Sequence, residues 1–473
     1  MKKMDLNSLN FTQAQVQSHG LQKEGPRLVY KDSTSVSLFN PSDDIHCIYN
    51  LKPDIMKQSM ETVKIPILLN NRYIEIDGIK LTAFANMNYT NLAAIHMTLR
   101  IPEINVLDDW KDQVEIALTY NPVDNSWIKI EEKWGSKIFD TLDNRTQDTC
   151  VETYQAKNID DKLDFAGNND DLINWKTNIP SKEAESTILW SFYIGGTNTS
   201  LPLFLITEGV SFSIYLRNKI TDLLRMRIKT EEGYWKILAK PDLKYLGIFD
   251  NNATFSDIEI SGTYFDRLPV EIDEIFNSAI NCNGPIMVYK TYTFSSDKGL
   301  DEIKPKEYGE SVSFKPQLSA VSKLIIATAE NIDSIGTNLR SNYTTNPIDI
   351  RNGMSPIGDI IVKNKLTKEE IVYTPSIRRR YMQMFLPRMP KIKGHEFIFY
   401  SINPVDPTDV NGISLASNNI KIVVKLTSPP NNSFNSCKFR VSLRIQIVRT
   451  VKFTFNCDPK DKDARRKIKW EIE

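Results

Sequence analysis

Long apolar runs are missing from this chain. No stretch of about eighteen apolar residues occurs in the 473, so no membrane-spanning helix is expected. The first residues, MKKMDLNSLNFTQAQVQ, hold a basic pair but no apolar core, which reads against a signal peptide. Cysteine is scarce. The five thiols (Cys47, Cys150, Cys282, Cys437 and Cys457) are scattered and odd in number, with no CxxC, so free thiols made in a reducing compartment are expected. Net charge is also absent: Lys+Arg and Asp+Glu both number 59. A chain that wraps nucleic acid through its phosphates needs a basic surplus, so that class is excluded. A neutral chain resists self-association weakly, which suits a subunit that packs against its own copies.

Catalytic signatures are missing too. There is no phosphate-binding G-x-x-x-x-G-K-[ST], no dinucleotide-binding G-x-G-x-x-G, no H-E-x-x-H and no G-x-S-x-G. The four histidines, His19, His46, His96 and His395, are far apart, and His96 reads as a surface residue on the polar side of a strand. The carboxylate pairs Asp108-Asp109, Asp160-Asp161 and Asp170-Asp171 sit in Asn- and Asp-rich stretches and read as solvated turn residues rather than a glycosidase pair. Arg378-Arg379-Arg380 reads as solvated or paired at an interface rather than as a phosphate site. The sequons at Asn88 and Asn342 read as chance occurrences in an Asn-rich chain. No catalytic, cofactor-binding or metal-binding residue is assigned, and the protein is read as not an enzyme.

What is present is period-2 alternation. Residues 94–101 (AIHMTLRI) put Ile95, Met97, Leu99 and Ile101 on one side. Residues 211–217, 419–426 and above all 438–448 repeat the pattern, the last with Phe439, Val441, Leu443, Ile445 and Ile447 against Lys438, Arg440, Ser442, Arg444 and Gln446. Such alternation marks half-buried antiparallel strands. Residues 113–120, 127–132, 187–194, 286–294 and 322–329 are further strand candidates. Helical signals are few: a short helix at 269–279 and a marginal one in the charged end, 458–473.

Two long polar segments, 140–182 and 328–358, lie at comparable places in the two halves, and each half carries about eight strand-like runs. The expected fold class is therefore all-β: two tandem eight-stranded sandwiches with long loops and few short helices. The expected division is an N-terminal arm at 1–60, a first sandwich at 61–235, a second at 236–457 and a charged tail at 458–473. The boundary is placed at 228–241, where IKTEEGYWKILAKP breaks the alternation.

Laid out in this order, the chain resembles the major capsid proteins of nucleocytoplasmic large DNA viruses, the double jelly-roll family. Residues 88–102 (NYTNLAAIHMTLRIP) are similar to that family's early strand, without its Arg and Asp, and 127–140 and 201–217 follow loosely. The second half is closer. Residues 258–280 keep the family's layout without its Arg pair, 318–326 (LSAVSKLII) resemble the next strand, and 399–424 keep Tyr400-Ser401, Asn403-Pro404 and the strand entry at Asn419-Ile420. The resemblance implies that both sandwiches are jelly rolls, at 61–235 and 236–457, in a divergent capsid subunit of the virion made in the host cytoplasm. It implies homotrimers of pseudo-hexagonal outline that tile an icosahedral shell. Its implied partners are neighbouring trimers, minor capsid or penton proteins and, in some shells, an internal viral membrane. It also implies that the two long segments form an outward tower. Two other readings are a viral scaffold protein that shapes a membrane with the same fold, and a carbohydrate-binding sandwich. For the latter, Trp127, Trp134, Trp190 and Trp235 sit in or beside strand patterns, where core packing is the expected role.

Overall fold

Ile95, Met97, Leu99 and Ile101 are all at most 1% exposed on the strand Asn91–Ile101, as their alternation requires. In the computed structural model, the described residues are 21–24, 27–30, 61–64, 67–73, 78–154, 170–188, 201–217, 219–247, 256–270, 272, 285–294, 305–316, 318, 321–385, 394–400, 412–415, 419–427, 437–454 and 469–472.

Eight strands build the first sandwich: β1 (Glu61–Lys64), β2 (Gly78–Phe84), β3 (Asn91–Ile101), β4 (Trp127–Trp134), β5 (Lys137–Asp143), β6 (Lys182–Ile188), β7 (Val210–Leu216) and β8 (Ser256–Phe265). One sheet runs β1-β8-β3-β6 and the other β2-β7-β4-β5, with Ile67–Tyr73 added outside β2. Every pairing is antiparallel. The second sandwich has β9 (Pro285–Phe294), β10 (Ser311–Phe314), β11 (Val321–Asn331), β12 (Ile357–Asn364), β13 (Glu370–Tyr373), β14 (His395–Phe399), β15 (Ile420–Leu426) and β16 (Phe439–Thr454). Its sheets run β9-β16-β11-β14 and β10-β15-β12-β13. Numbered within each sandwich, both read 1-8-3-6 and 2-7-4-5. That shared order is the jelly roll, and the chain contains it twice.

The similarity extends to a connection. The link between the fifth and sixth strands carries an 11-residue helix in each sandwich, α1 (Asn144–Tyr154) and α2 (Pro375–Phe385). Each sandwich closes on its own apolar cluster, one around Trp127, Phe212 and Ile260, the other around Ile325, Ile422 and Phe439. Fully burying each such side chain contributes about 1.5–3 kcal/mol.

Three expectations change. The division at residue 235 moves, because β8 lies between β1 and β3 of the first sheet, with Ile260 and Tyr264 in the first core. The break in alternation at 228–241 is a hairpin, Leu224–Lys229 with Trp235–Ile237, turned at Gly233 with φ +86° and paired to Val114–Leu118. A connection long enough to hold its own hairpin looks like a linker in sequence. The charged end is not helical where it is described. Lys469–Ile472 is a strand paired with β16, and Trp470 packs on the first core. His96 is not on the open surface either. Its side chain is 18% exposed, with Nδ1 3.0 Å from Thr187 Oγ1 and Nε2 2.9 Å from Thr263 Oγ1 across neighbouring strands.

Of the expected arm, Arg27–Tyr30 is a strand paired with Leu21–Glu24. Trp190, Asp160-Asp161, His19, His46, Cys47, Cys282, Cys457, Asn403-Pro404 and most of 269–279 lie outside the described residues. Among the described residues, no helix is long and apolar enough to cross a membrane.

Candidate functional site: the seam between the sandwiches

On β11 the odd residues Ile325, Ala327 and Ala329 face the second core, so the even ones face outward. Outward residues of a sandwich normally meet water. Here Leu324, Ile326, Thr328 and Glu330 are all buried, at 0%, 3%, 1% and 6% exposure. Two helices account for this. α2 covers the lower part through Met382 and Phe385, which join Leu324, Ile326, Phe397 and Phe399 in a small cluster. α1, from the first sandwich, covers the upper part.

The contact under α1 is polar. Arg145 Nε donates to Glu330 Oε2 at 2.7 Å, and Arg440 Nη1 donates to the same oxygen at 3.3 Å. Arg444, fully buried on β16, donates through Nη1 to Thr328 Oγ1 at 2.7 Å and through Nε to Thr146 Oγ1 of α1 at 3.5 Å. Buried charges are costly unless paired and hydrogen-bonded. Glu330 is held by two arginines, and Arg444 is held through Nη1 and Nε, while its Nη2 is buried without a hydrogen-bond partner among the described residues. Burial pushes Asp143 up, but Arg444, Arg145 and hydrogen bonds from Thr146 outweigh it and hold the carboxyl below its ordinary range.

A second group joins the long segments themselves. Ser341 Oγ accepts from Asn125 Nδ2 at 2.8 Å and donates to Asp148 Oδ2 at 2.8 Å. Tyr343 donates to the same oxygen at 2.9 Å, and Asn121 Nδ2 donates to Oδ1 at 3.1 Å. Behind them Asp124 accepts a short bond from the Ser186 hydroxyl. Burial pushes Asp148 up to about 6 and Asp124 up to about 7, against the pull of these hydrogen bonds. Further along, Asn338 Nδ2 donates to the carbonyls of Thr221 and Leu224 at 2.9 and 2.8 Å, and Arg225 Nη2 donates to Ile348 O at 2.8 Å. The connections after the third, fifth and seventh strands of the first sandwich thus meet the connection after the third strand of the second. The sandwiches stand side by side with the same end up.

At the lower end the seam is aromatic. Trp134 and Phe139 stack at 3.8 Å between ring centroids on the β4–β5 hairpin, and Trp470 sits edge-on to both at 4.9 and 5.7 Å.

The sequence-level candidates fall as follows. Asp108-Asp109 and Asp170-Asp171 are exposed, as solvated turn residues should be. Arg378 separates from its neighbours: it is fully buried, with Nε 2.9 Å from Glu396 Oε2 and Nη1 2.5 Å from Tyr373 O, while Arg379 and Arg380 are exposed. Trp127 and Trp134 are core residues, and Trp235, 38% exposed, stacks on Arg227. Asn342 is fully buried and therefore closed to a glycan. Cys437 is buried and free. Among the described residues, no group of three His, Cys, Asp or Glu is placed to hold a metal. Sequence reasoning missed the seam altogether. Its one local signal was the alternation of 438–448, which put two arginines on the outward side of a strand.

The fold and seam define a tandem pair of jelly-roll sandwiches fixed to each other in parallel. No family model and no curated protein matches the sequence. Solved structures do. The capsid protein VP54 of PBCV-1, fitted into a reconstruction of the virophage Sputnik, aligns with a TM-score of 0.54 at 9% identity over 83% of this chain and 94% of that one. The Faustovirus major capsid protein aligns with a TM-score of 0.53 at 10% identity over 94% of this chain and 97% of that one. The likeness is one of fold, and it spans both sandwiches.

Proposed function

We propose that this chain is a structural subunit of an icosahedral virus shell and works by assembling with copies of itself rather than by catalysis. The observation that carries this is the repeated 1-8-3-6 and 2-7-4-5 order in two sandwiches locked side by side, over a length shared with two capsid proteins. Two equal blocks in one rigid chain supply two sides of a ring, so three chains make a six-sided outline that can tile a shell. The strands give rigidity, and the connections gathered at one end are free to vary and face outward. On this reading the protein resides in the virion. Its partners are neighbouring trimers, minor capsid or penton proteins and, where present, a membrane under the shell.

Light scattering on the purified full chain tests the reading. A mass of three chains at micromolar concentration is expected. A stable single chain under those conditions overturns it.

A further inference from the structure

The seam inside one chain uses two elements of the first sandwich: helix α1, with Arg145 reaching a carboxylate, and the β4–β5 hairpin, with Trp134 and Phe139 covered by Trp470. The second sandwich owns the same two elements, α2 and the β12–β13 hairpin. Nothing in the described chain covers their outer sides.

The exposed residues of α2 are Pro375 at its start and then Ser376, Arg379, Arg380, Gln383 and Met384. From Ser376 on they recur at i, i+3, i+4, i+7 and i+8, so they form one stripe opposite buried Arg378 and Met382. Arg379 and Arg380 have no ion-pair partner among the described residues. The hairpin carries exposed charges at its turn, Lys365, Lys368, Glu369 and Glu370, but leaves apolar side chains open beside them. Leu366 at its turn is 72% exposed, and Ile371 and Val372 on the edge strand β13 are 50% and 41% exposed. An open edge strand with apolar side chains is a surface that natural folds cover.

The counterpart is at the other end of the chain. In the internal seam, the hairpin and helix rest on the outer face of the second sandwich's 1-8-3-6 sheet. The same face of the first sandwich, β1-β8-β3-β6, is open along β6, and there it is acidic. Glu183 and Glu185 have side chains 65% and 52% exposed and only loose contacts, at 3.7 Å to Arg100 and 3.5 Å to His96.

We propose that α2 and the β12–β13 edge dock on the outer β1-β8-β3-β6 face of a second copy, with Arg379 and Arg380 over Glu183 and Glu185. The contact uses the same kinds of element as the internal seam, a helix and a hairpin against the outer face of this sheet, but meets its sixth strand rather than its third and eighth. It is head-to-tail, so each copy offers one half and receives the other, and it closes into a ring when the rotation allows. It rests on the shell-subunit reading and supplies the contact that reading needs.

Light scattering on full-length variants tests it, with circular dichroism as a check on folding. Arg379→Glu with Arg380→Glu is expected to lower the mass to a single chain without changing the spectrum. Adding Glu183→Arg and Glu185→Arg to that variant reverses both sides and is expected to restore the wild-type mass. Leu366→Glu changes an open position, so it tests the apolar half without risk to the core, and it too is expected to lower the mass. If the charge-reversed and Leu366 variants all keep the wild-type mass, the contact lies elsewhere and the proposal falls while the shell-subunit reading stands. Dissociation that the acidic-side reversal does not rescue overturns the pairing. A wild-type protein that is itself a single chain overturns both.

Discussion

Arg145 and Glu330 meet at 2.7 Å across the seam, one from a helix of the first sandwich and one from a strand of the second, 185 residues apart. Glu330 also accepts from Arg440 of its own sheet, so it is never left alone. Arg145 is less secure, since its removal leaves a carboxylate, 8% exposed at its side chain, with a single longer contact.

Arg145→Met should therefore cost about 2–3 kcal/mol, toward the low end for breaking a buried pair because the Arg145 side chain is 29% exposed. Denaturant midpoints check it. Arg145→Met together with Glu330→Met should cost less than the sum of the two single changes, because no unpaired charge then remains in the seam.

The buried acids make the seam sensitive to pH. Asp124 is raised to about 7 and Asp148 to about 6, both chiefly by burial. In the unfolded chain each titrates near 3.9. Between those values the folded protein holds more protons than the unfolded one, so stability falls as pH rises from about 4 to about 7 and is level above that. Asp143, held below its ordinary range, acts in the opposite sense, and only at the acid edge of this window, where the unfolded carboxyl is still partly protonated. Asp124→Asn keeps an acceptor for Ser186 and removes the charge. Its stability relative to wild type should rise by about 2–3 kcal/mol between pH 5 and pH 8, one pKa unit being worth about 1.4 kcal/mol. Equal gaps at the two pH values would falsify the assignment.

Trp470 ties the end of the chain to the first core. Trp470→Ala should cost about 2 kcal/mol, less than a fully buried Trp, because the ring is only half-buried. Denaturation monitored by fluorescence checks this. Trp470→Phe, which keeps an edge-on aromatic partner for Trp134 and Phe139, should recover most of the loss.

Much of the fold was legible, and the reason is local. Residues 438–448 alternate because one side faces a core, and the periodicity of a strand is written in adjacent residues. Such runs gave the all-β class, and the ordered family-like segments, strongest from 258 to 424, gave the tandem pair of jelly rolls. The place where β8 pairs was not legible, since a strand that returns across a whole sandwich carries no mark of its destination. The seam was invisible for the same reason. Thr328, Glu330 and Arg444 look like residues on a wet face, and only the arrival of α1, in contacts spanning 185 and 298 positions, makes them interior. The run Arg378-Arg379-Arg380 shows the limit most sharply. Three identical side chains differ because a helix turns 100° per residue, which buries the first and exposes the other two.

Gly394 gives the most local test of the seam. Its φ is +89°, a conformation that side chains rarely adopt, and a Cβ there would collide with the carbonyl oxygen of Tyr343 and lie 2.6 Å from its Cβ. Tyr343 is fully buried, donates to Asp148 across the seam and stacks edge-on against His395 at 4.5 Å. Gly394→Ala therefore carries two costs at once, backbone strain of about 1–3 kcal/mol and displacement of Tyr343 from its acceptor. A loss of at least 2 kcal/mol is expected in denaturation. The displacement has its own signature. Tyr343→Phe removes the same hydrogen bond without strain, so it should cost about 1–2 kcal/mol alone and less when added to Gly394→Ala. Full additivity of the two changes would mean that the glycine does not act through Tyr343.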